Sequence, residues 1–420
     1  MSDPIVEAPE NAGPRAGRQT MLVLRSRNFL PYLAGNMLSS TGTWFRTLAQ
    51  AILIYRLTHS AFLLGVVSFS GFAAVFLVAP WAGSVADRFD RRRILIVTQL
   101  SATVITACLT LITGLGLATP AVIIGFALVL GVTSAYQTPA MMAFVPSLVQ
   151  PRFLSTALAL NSVTFNIGRA VGPLLAVVVI DSLGTTWAFG INSLTYLPLV
   201  AGAWSVHPLA AQVRPLTRPR LRESIRLVLR DRRLAGLLYV IAAMNLATDP
   251  AQTLGPAFIS RELHHADSLA GLLIGAFGLG AVLCAFTIGH RLQGTRTSLA
   301  AMLGLAGVGA AAFSVSPNLG FALASLAVMG FGYLASNTAA TTRLQRGVDD
   351  AHRGRIMALW TIAFLGIRPL GSLVDGAIAS WAGLRVASFM MALPALIGAV
   401  VFLFGRARPP AAVAADPGRP

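Results

Sequence analysis

Residues 57–86 and 94–150 contain no Asp, Glu, Lys or Arg. Between them stands a short burst of charge, Gly83-Ser-Val-Ala-Asp87-Arg88-Phe-Asp90-Arg91-Arg92-Arg93. About 20 apolar residues suffice to cross a bilayer as a helix, so each flanking run is of membrane length. A turn entered by glycine and alternating acid with base, clamped between such runs, must lie where membrane meets water. Its four arginines put it on the cytoplasmic side by the positive-inside rule.

Composition extends that reading to the whole chain. Its 420 residues are 55% hydrophobic and only 11% charged, with a mean hydropathy of +0.71. A soluble domain of this size needs more charge, so the fold class is all-α and polytopic. The net charge of +17 does not point to nucleic acid, because of where the charge lies. All 32 basic residues are arginine: 26 fall in cytoplasmic segments, three in external loops (Arg56, Arg261, Arg385) and three inside spans (Arg46, Arg169, Arg368). That bias is a topology signal, with the lipid bilayer as its partner. Cys108 and Cys284 both stand in apolar runs and imply neither a disulfide framework nor a metal site.

Read in order, residues 1–27 form a disordered, Pro- and Gly-containing cytoplasmic tail without the apolar core of a signal peptide. Six spans follow over 28–205: about 28–56, 61–85, 93–114, 119–145, 153–181 and 185–205. Residues 206–233 are a basic cytoplasmic linker carrying eight arginines. Within it Leu221, Ile225 and Leu229 recur every fourth position with arginines on another face, the pattern of an amphipathic helix on the membrane surface. Residues 234–405 supply six more spans, about 234–260, 268–290, 297–316, 319–343, 355–381 and 385–405. Residues 406–420 form a second cytoplasmic tail. Twelve spans return both termini to one side, in the cell inner (plasma) membrane. An internal repeat supports six plus six. Gly65 and Gly83 recur as Gly271 and Gly289 at an offset of 206, and Arg169, Gly172 and Gly184 recur as Arg368, Gly371 and Gly383 at an offset of 199.

The pattern Gly83-x-x-x-Asp87-Arg88-x-x-Arg91-Arg92 resembles the loop between the second and third helices of major facilitator superfamily transporters. Within that superfamily the chain is similar to the branch of drug and metabolite efflux proteins that includes the enterobactin exporters. The residues carrying this likeness include Gly42-Thr-Trp44, Leu48-Ala-Gln50, Thr138-Pro-Ala140, Ala143-Phe-Val-Pro146, Leu158-Ala-Leu-Asn-Ser162, Phe165-Asn166 and Arg353-Gly-Arg-Ile-Met357. The chain departs from relatives at Gln137 and Met141, where an acid and a base are common. Gly168-x-x-x-Gly172-Pro173 resembles the antiporter motif and is a candidate helix-packing element. Ala176 and Val177 replace the closing glycines of that motif, and Ala159 its opening one. In the second copy of the charged turn, Gln293 and Gly294 stand where Asp87 and Arg88 would align. The resemblance implies two six-helix halves working by alternating access.

The residue types then suggest roles. Asp90 is positioned to cap the third span. Gly83, Asp87, Arg88, Arg91 and Arg92 form a gating motif that can reach Asp349, Asp350 and the start of the eleventh span, or merely fix topology. A charge inside a span costs a few kcal/mol unless paired or facing water, so each is a functional candidate. Asp249 precedes Pro250, which removes a backbone donor and loosens the seventh span there. It is the leading proton-coupling candidate, with an ion pair to Arg46 as the structural alternative. Asp375, two turns beyond Arg368, is either a second candidate or an external-rim charge. Trp44, Arg46, Gln137, Asn161, Arg169, Asn245 and Arg368 are candidates for a substrate cavity, with Tyr136 and Phe165 as aromatic neighbours. Packing between helices is an equal alternative for each.

No constellation suits an enzyme, and the lack of lysine excludes a Gly-x-x-x-x-Gly-Lys phosphate loop. No cofactor or metal is expected. The expected function is a monomeric secondary active transporter that exports a small organic compound (drug, siderophore or secondary metabolite) in exchange for protons. A proton-linked importer and a transporter-like sensor that moves nothing are the rivals.

Overall fold

A computed structural model describes residues 19–207, 231–287, 295–346, 359–360 and 362–404. In the first half, α1 (Leu30–Thr58), α2 (Ala61–Arg88), α3 (Arg91–Gly114), α4 (Pro120–Leu148) and α5 (Leu154–Leu183) are long single helices. The sixth pass is shared by α6 (Thr185–Thr195) and α7 (Leu197–Ser205). In the second half, α8 (Arg232–Thr253) and α9 (Gly255–Arg261) share the first pass. Then come α10 (Ala270–Thr287), α11 (Arg296–Ser314), α12 (Leu319–Arg346), α13 (Ile367–Ala382, after a π-helical turn at Ile362–Gly366) and α14 (Leu384–Phe404).

Ten of the spans among the described residues are long and apolar enough to cross a membrane. The other two passes are less uniform. Helix α1 carries Asn36, Ser39, Arg46 and Gln50 along its 29 residues, and the sixth pass is broken at Tyr196. Both broken passes restart with a proline in the first turn, Pro198 in α7 and Pro256 in α9. Proline is tolerated there because that N–H has no helical acceptor. Pro250 stands in the last turn of α8, its carbonyl accepts from Leu254 N at 2.9 Å, and the break comes four residues later.

Within the first half α1 packs on α5 and α7, and α2 on α4. Within the second, α10 packs on α12 and α11 on α14. Two seams join the halves, α2 against α13 and α5 against α10. Glycine makes both possible: a Cβ on Gly65 would overlap the carbonyl oxygen of Ser372, and one on Gly271 the carbonyl oxygen of Pro173. The offsets of 206 and 199 seen in the sequence map one contact onto the other. Removing a side chain lets two helix backbones touch, and that contact supplies packing where lipid offers no hydrophobic drive.

The charged turn is tighter than its sequence suggests. Gly83 sits inside α2 with open space where a Cβ would go, and the chain turns only at Phe89 and Asp90. Asp90 caps α3, accepting from Arg92 N at 2.7 Å and Arg93 N at 3.2 Å. Cys284 is buried whereas Cys108 is exposed on the outer surface, so only the first is a packing residue. The expectation of a disordered tail over 1–27 fails at its end: residues 19–24 are helical and Val23 is buried in a cluster with Phe29 and Tyr32. Residues 1–18, the tail at 406–420, and Leu221, Ile225 and Leu229 of the expected linker helix lie outside the described residues.

Candidate functional site

Arg169 lies on α5, and Arg368 and Asp375 on α13, helices of the two seams. Asp249 of α8 is 2% exposed, and its Oδ1 accepts from the Ser372 hydroxyl of α13 at 3.2 Å. One turn further along α8, Gln252 Oε1 accepts from Arg368 Nη2 of α13. Residues three apart on α8 thus meet residues four apart on α13, which follows from one helix face meeting another. The second carboxylate oxygen of Asp249 has no hydrogen-bond partner among the described residues. Asp375 is fully buried, 0% exposed, and neither carboxylate oxygen has a hydrogen-bond partner among the described residues. It is therefore no rim charge: α13 turns it inward, seven residues from Arg368 on the same face.

Arg46 does not pair with Asp249. Its Nη1 donates to Gln50 Oε1 at 2.7 Å, and Gln50 Nε2 donates to the Ile123 carbonyl of α4 at 3.1 Å. Both arginines that recur at the 199 offset are buried and lie over rings of the opposite half. Arg169 of α5 is 4.8 Å from the ring of Phe277 and 5.5 Å from that of Tyr333, and 5.3 Å from Trp44 in its own half. Arg368 is 5.0 Å from Phe72 of α2. Cation–π contacts of this kind strengthen where water is excluded.

The remaining cavity candidates divide. Trp44 meets Phe165 edge-on at 6.0 Å, and Phe165 is 43% exposed. Asn161 Oδ1 instead accepts from Tyr32 Oη at 3.2 Å and Asn36 Nδ2 at 3.0 Å, a polar tie between α1 and α5. Asn245 is 1% exposed and donates to the Ile241 carbonyl of its own helix at 2.9 Å. Tyr136 packs beside Ala86, Ile94 and Ala140, and Gln137 is half-buried on α4. Gly168, Gly172 and Pro173 are buried, and both glycines press α5 on the α1 backbone around Thr41.

At the rim that bears Arg56, the halves are tied by ions. Arg56 and Asp267 pair at 2.6 Å, with a second bond from Arg56 Nε at 2.9 Å, and Arg261 donates to the His59 carbonyl. At the other rim, Arg91 donates to the Ala143 carbonyl at 3.2 Å and Arg92 to that of Trp204, both within the first half. Arg88 is exposed. Asp349, Asp350, Arg353 and Arg355, the expected partners of the gating motif, lie outside the described residues.

Twofold-related halves with charges buried along their seams define a membrane transporter of the major facilitator type. The chain belongs to the transmembrane secretion effector family of that superfamily, whose pattern matches residues 20–419. It is 23% identical over 387 residues to the staphyloferrin A transporter of Staphylococcus aureus (strain NCTC 8325 / PS 47), covering 89% of this chain and 95% of that one. It is 26% identical over 324 residues to the enterobactin exporter EntS of Citrobacter koseri, covering 74% and 76% respectively. Among solved structures, a bacterial homologue of the human lysosomal transporter Spinster, inward-facing and unoccupied, superposes with a TM-score of 0.72 at 14% identity over 93% of this chain and 97% of that one. An inward-facing bacterial homologue of the iron transporter ferroportin gives 0.69 at 15% identity over 90% and 99%.

Ser372, Gln252, Phe72, Phe277 and Tyr333 belong to the site yet were not singled out by sequence. The first two carried a usable signal: Gln252 stands three residues after Asp249, and Ser372 four after Arg368.

Proposed function

We propose that the protein exports a small organic compound by proton antiport, alternating access between its two halves. The observation that carries this reading is Asp249, a buried carboxylate whose Oδ1 accepts from Ser372 and whose Oδ2 has no hydrogen-bond partner among the described residues. A group that can exchange a proton at the contact between helices couples protonation to the movement of those helices. The arginine bias assigns the Arg88 rim and both termini to the cytoplasm, so the Arg56–Asp267 tie closes the external side. Gly83, Asp87, Arg88, Arg91 and Arg92 form the opposing gate, engaging the second half when the cytoplasmic side shuts. Relatives named for staphyloferrin A and enterobactin favour a siderophore-like cargo. The test is uptake into inverted vesicles under an imposed pH gradient, over a panel of organic compounds. Accumulation driven by an acid interior supports export. Uptake in right-side-out vesicles driven by an acid exterior makes the protein an importer, and movement in neither leaves a sensor.

A further inference from the structure

Arg169 and Arg368 occupy equivalent positions in the repeat but not equivalent surroundings. The second-half arginine has an amide acceptor in Gln252 and lies on the helix face that bonds Asp249. Where a Cβ at Gly371 would face Leu246 and Asp249, one at Gly172 would face Thr41, Trp44 and Phe45. The first-half arginine thus has tryptophan where its counterpart has a carboxylate. It makes no ion pair among the described residues, and it is 8% exposed. None of its guanidinium nitrogens has a hydrogen-bond partner among the described residues; Nε and Nη2 are sealed from solvent, and Nη1 is the accessible one. The N–H groups of Nη1 and Nη2 lie side by side at the end of the guanidinium, an edge that matches both oxygens of a carboxylate. Trp44, Phe277 and Tyr333 lie against the group at 4.8–5.5 Å and hold it without using a donor. Phe165, exposed and edge-on to Trp44, extends the apolar wall beside it.

We infer that the guanidinium of Arg169, reached at Nη1, is the binding point for a carboxylate of the transported compound, whose apolar part lies against Trp44 and Phe165. A buried cation with its two-donor edge empty is costly, and an anionic ligand seated there completes its hydrogen bonds. Because Phe277 and Tyr333 belong to the opposite half, a carboxylate on Arg169 acts at the moving seam. This inference names the cargo class for the proposed transport and rests on that reading.

The test uses purified full-length protein in nanodiscs, with binding read as a saturable thermal shift. Salicylate, citrate and succinate are the carboxylate probes, and salicylamide is the uncharged counterpart of the first. At least one carboxylate should bind the wild type and salicylamide should not. Arg169→Gln should weaken that binding about tenfold or more, the scale of two charged hydrogen bonds. Arg169→Lys keeps the charge and the fold but loses the paired edge, so it should also weaken binding, by less. Arg368→Gln should change binding less than Arg169→Gln. Equal binding of salicylamide, no binding of any carboxylate, or wild-type affinity in both Arg169 variants would each overturn the inference. The measurement needs no gradient and so separates the two readings. Carboxylate binding without pH-driven movement refutes antiport alone, and proton-driven movement of an uncharged compound without carboxylate binding refutes this inference alone.

Discussion

Ser372 touches Gly65 of the opposite half through its carbonyl oxygen, while its hydroxyl donates to Asp249 at 3.2 Å. One residue therefore links the contact that joins α2 to α13 with the buried acid beside it. At the equivalent point of the other seam, Gly271 meets Pro173, which has no side-chain hydrogen-bonding group. The repeat duplicates the packing but confines the polar link to the second half. Separation of α2 from α13 must move Ser372, and with it one of the hydrogen bonds of Asp249.

A side chain at Gly65 should hold that seam apart. Gly65→Val places branched carbons where the Ser372 carbonyl lies, and overpacking of this kind costs about 1–3 kcal/mol. Ser68 of α2 is half-buried and accepts from Thr253 of the opposite half at 3.4 Å. In a Cys108→Ser background, a cysteine at Ser68 should then react roughly tenfold faster with a membrane-impermeant maleimide added at the Arg56 rim. Gly83→Val, with open space around it, should leave that rate unchanged.

Opposite charge closes the same rim. Side chains of Arg56 and Asp267 are 42% and 13% exposed, so their pair contributes on the order of 1 kcal/mol or less. Arg56→Asp should raise labelling at Ser68 about fivefold, by replacing attraction with repulsion. The swapped pair Arg56→Asp with Asp267→Arg should return it toward the wild-type rate. A swapped protein no better closed than the single variant would remove the ion pair from the gate.

Much of this was legible in the sequence because membrane folding leaves coarse marks. Uncharged runs gave the spans, and the recurrence of Arg169 as Arg368 gave the halves, since a buried arginine seldom recurs by chance. The partners of those charges were not legible. Arg46 bonds Gln50 on its own helix rather than Asp249, and Asp375 is buried rather than at the rim. Both depend on the rotation of a helix about its axis, which uniformly apolar spans such as α10 do not encode by periodicity. The break four residues after Pro250 carried a signal of its own in Pro256, which stands in the first turn of the helix that follows.

Topology can be tested with the same labelling chemistry. With exposed Cys108 replaced by serine, cysteines at Ser60 and Ser182 should label in intact cells, and those at Ser84, Thr217 and Ala351 only after permeabilisation. External labelling at Thr217 would overturn the placement of the linker in the cytoplasm.

Proton coupling offers the sharpest choice, because Asp249 and Asp375 share the second half but differ in their bonds. Asp249 accepts from Ser372 and keeps one oxygen free, and Asp375 has no partner on either oxygen among the described residues. If Asp249 carries the proton, Asp249→Asn should abolish accumulation driven by a pH gradient. It should leave exchange of substrate across the membrane within about twofold per folded molecule, because exchange needs no net proton movement. Asparagine can still accept from Ser372, so loss of the fold is not expected. If instead the charge of Asp249 chiefly balances Arg368 across the α8–α13 contact, the same change leaves a buried cation unbalanced. That costs about 3–5 kcal/mol and lowers the yield of folded protein together with both activities. Asp375→Asn supplies the control. It removes a buried carboxyl without a hydrogen-bond partner among the described residues, so folded yield should hold, and pH-driven accumulation should persist if Asp249 alone is the carrier. The deciding quantity is the ratio of pH-driven accumulation to exchange in each variant. A ratio that falls in Asp375→Asn and holds in Asp249→Asn would transfer the role to Asp375.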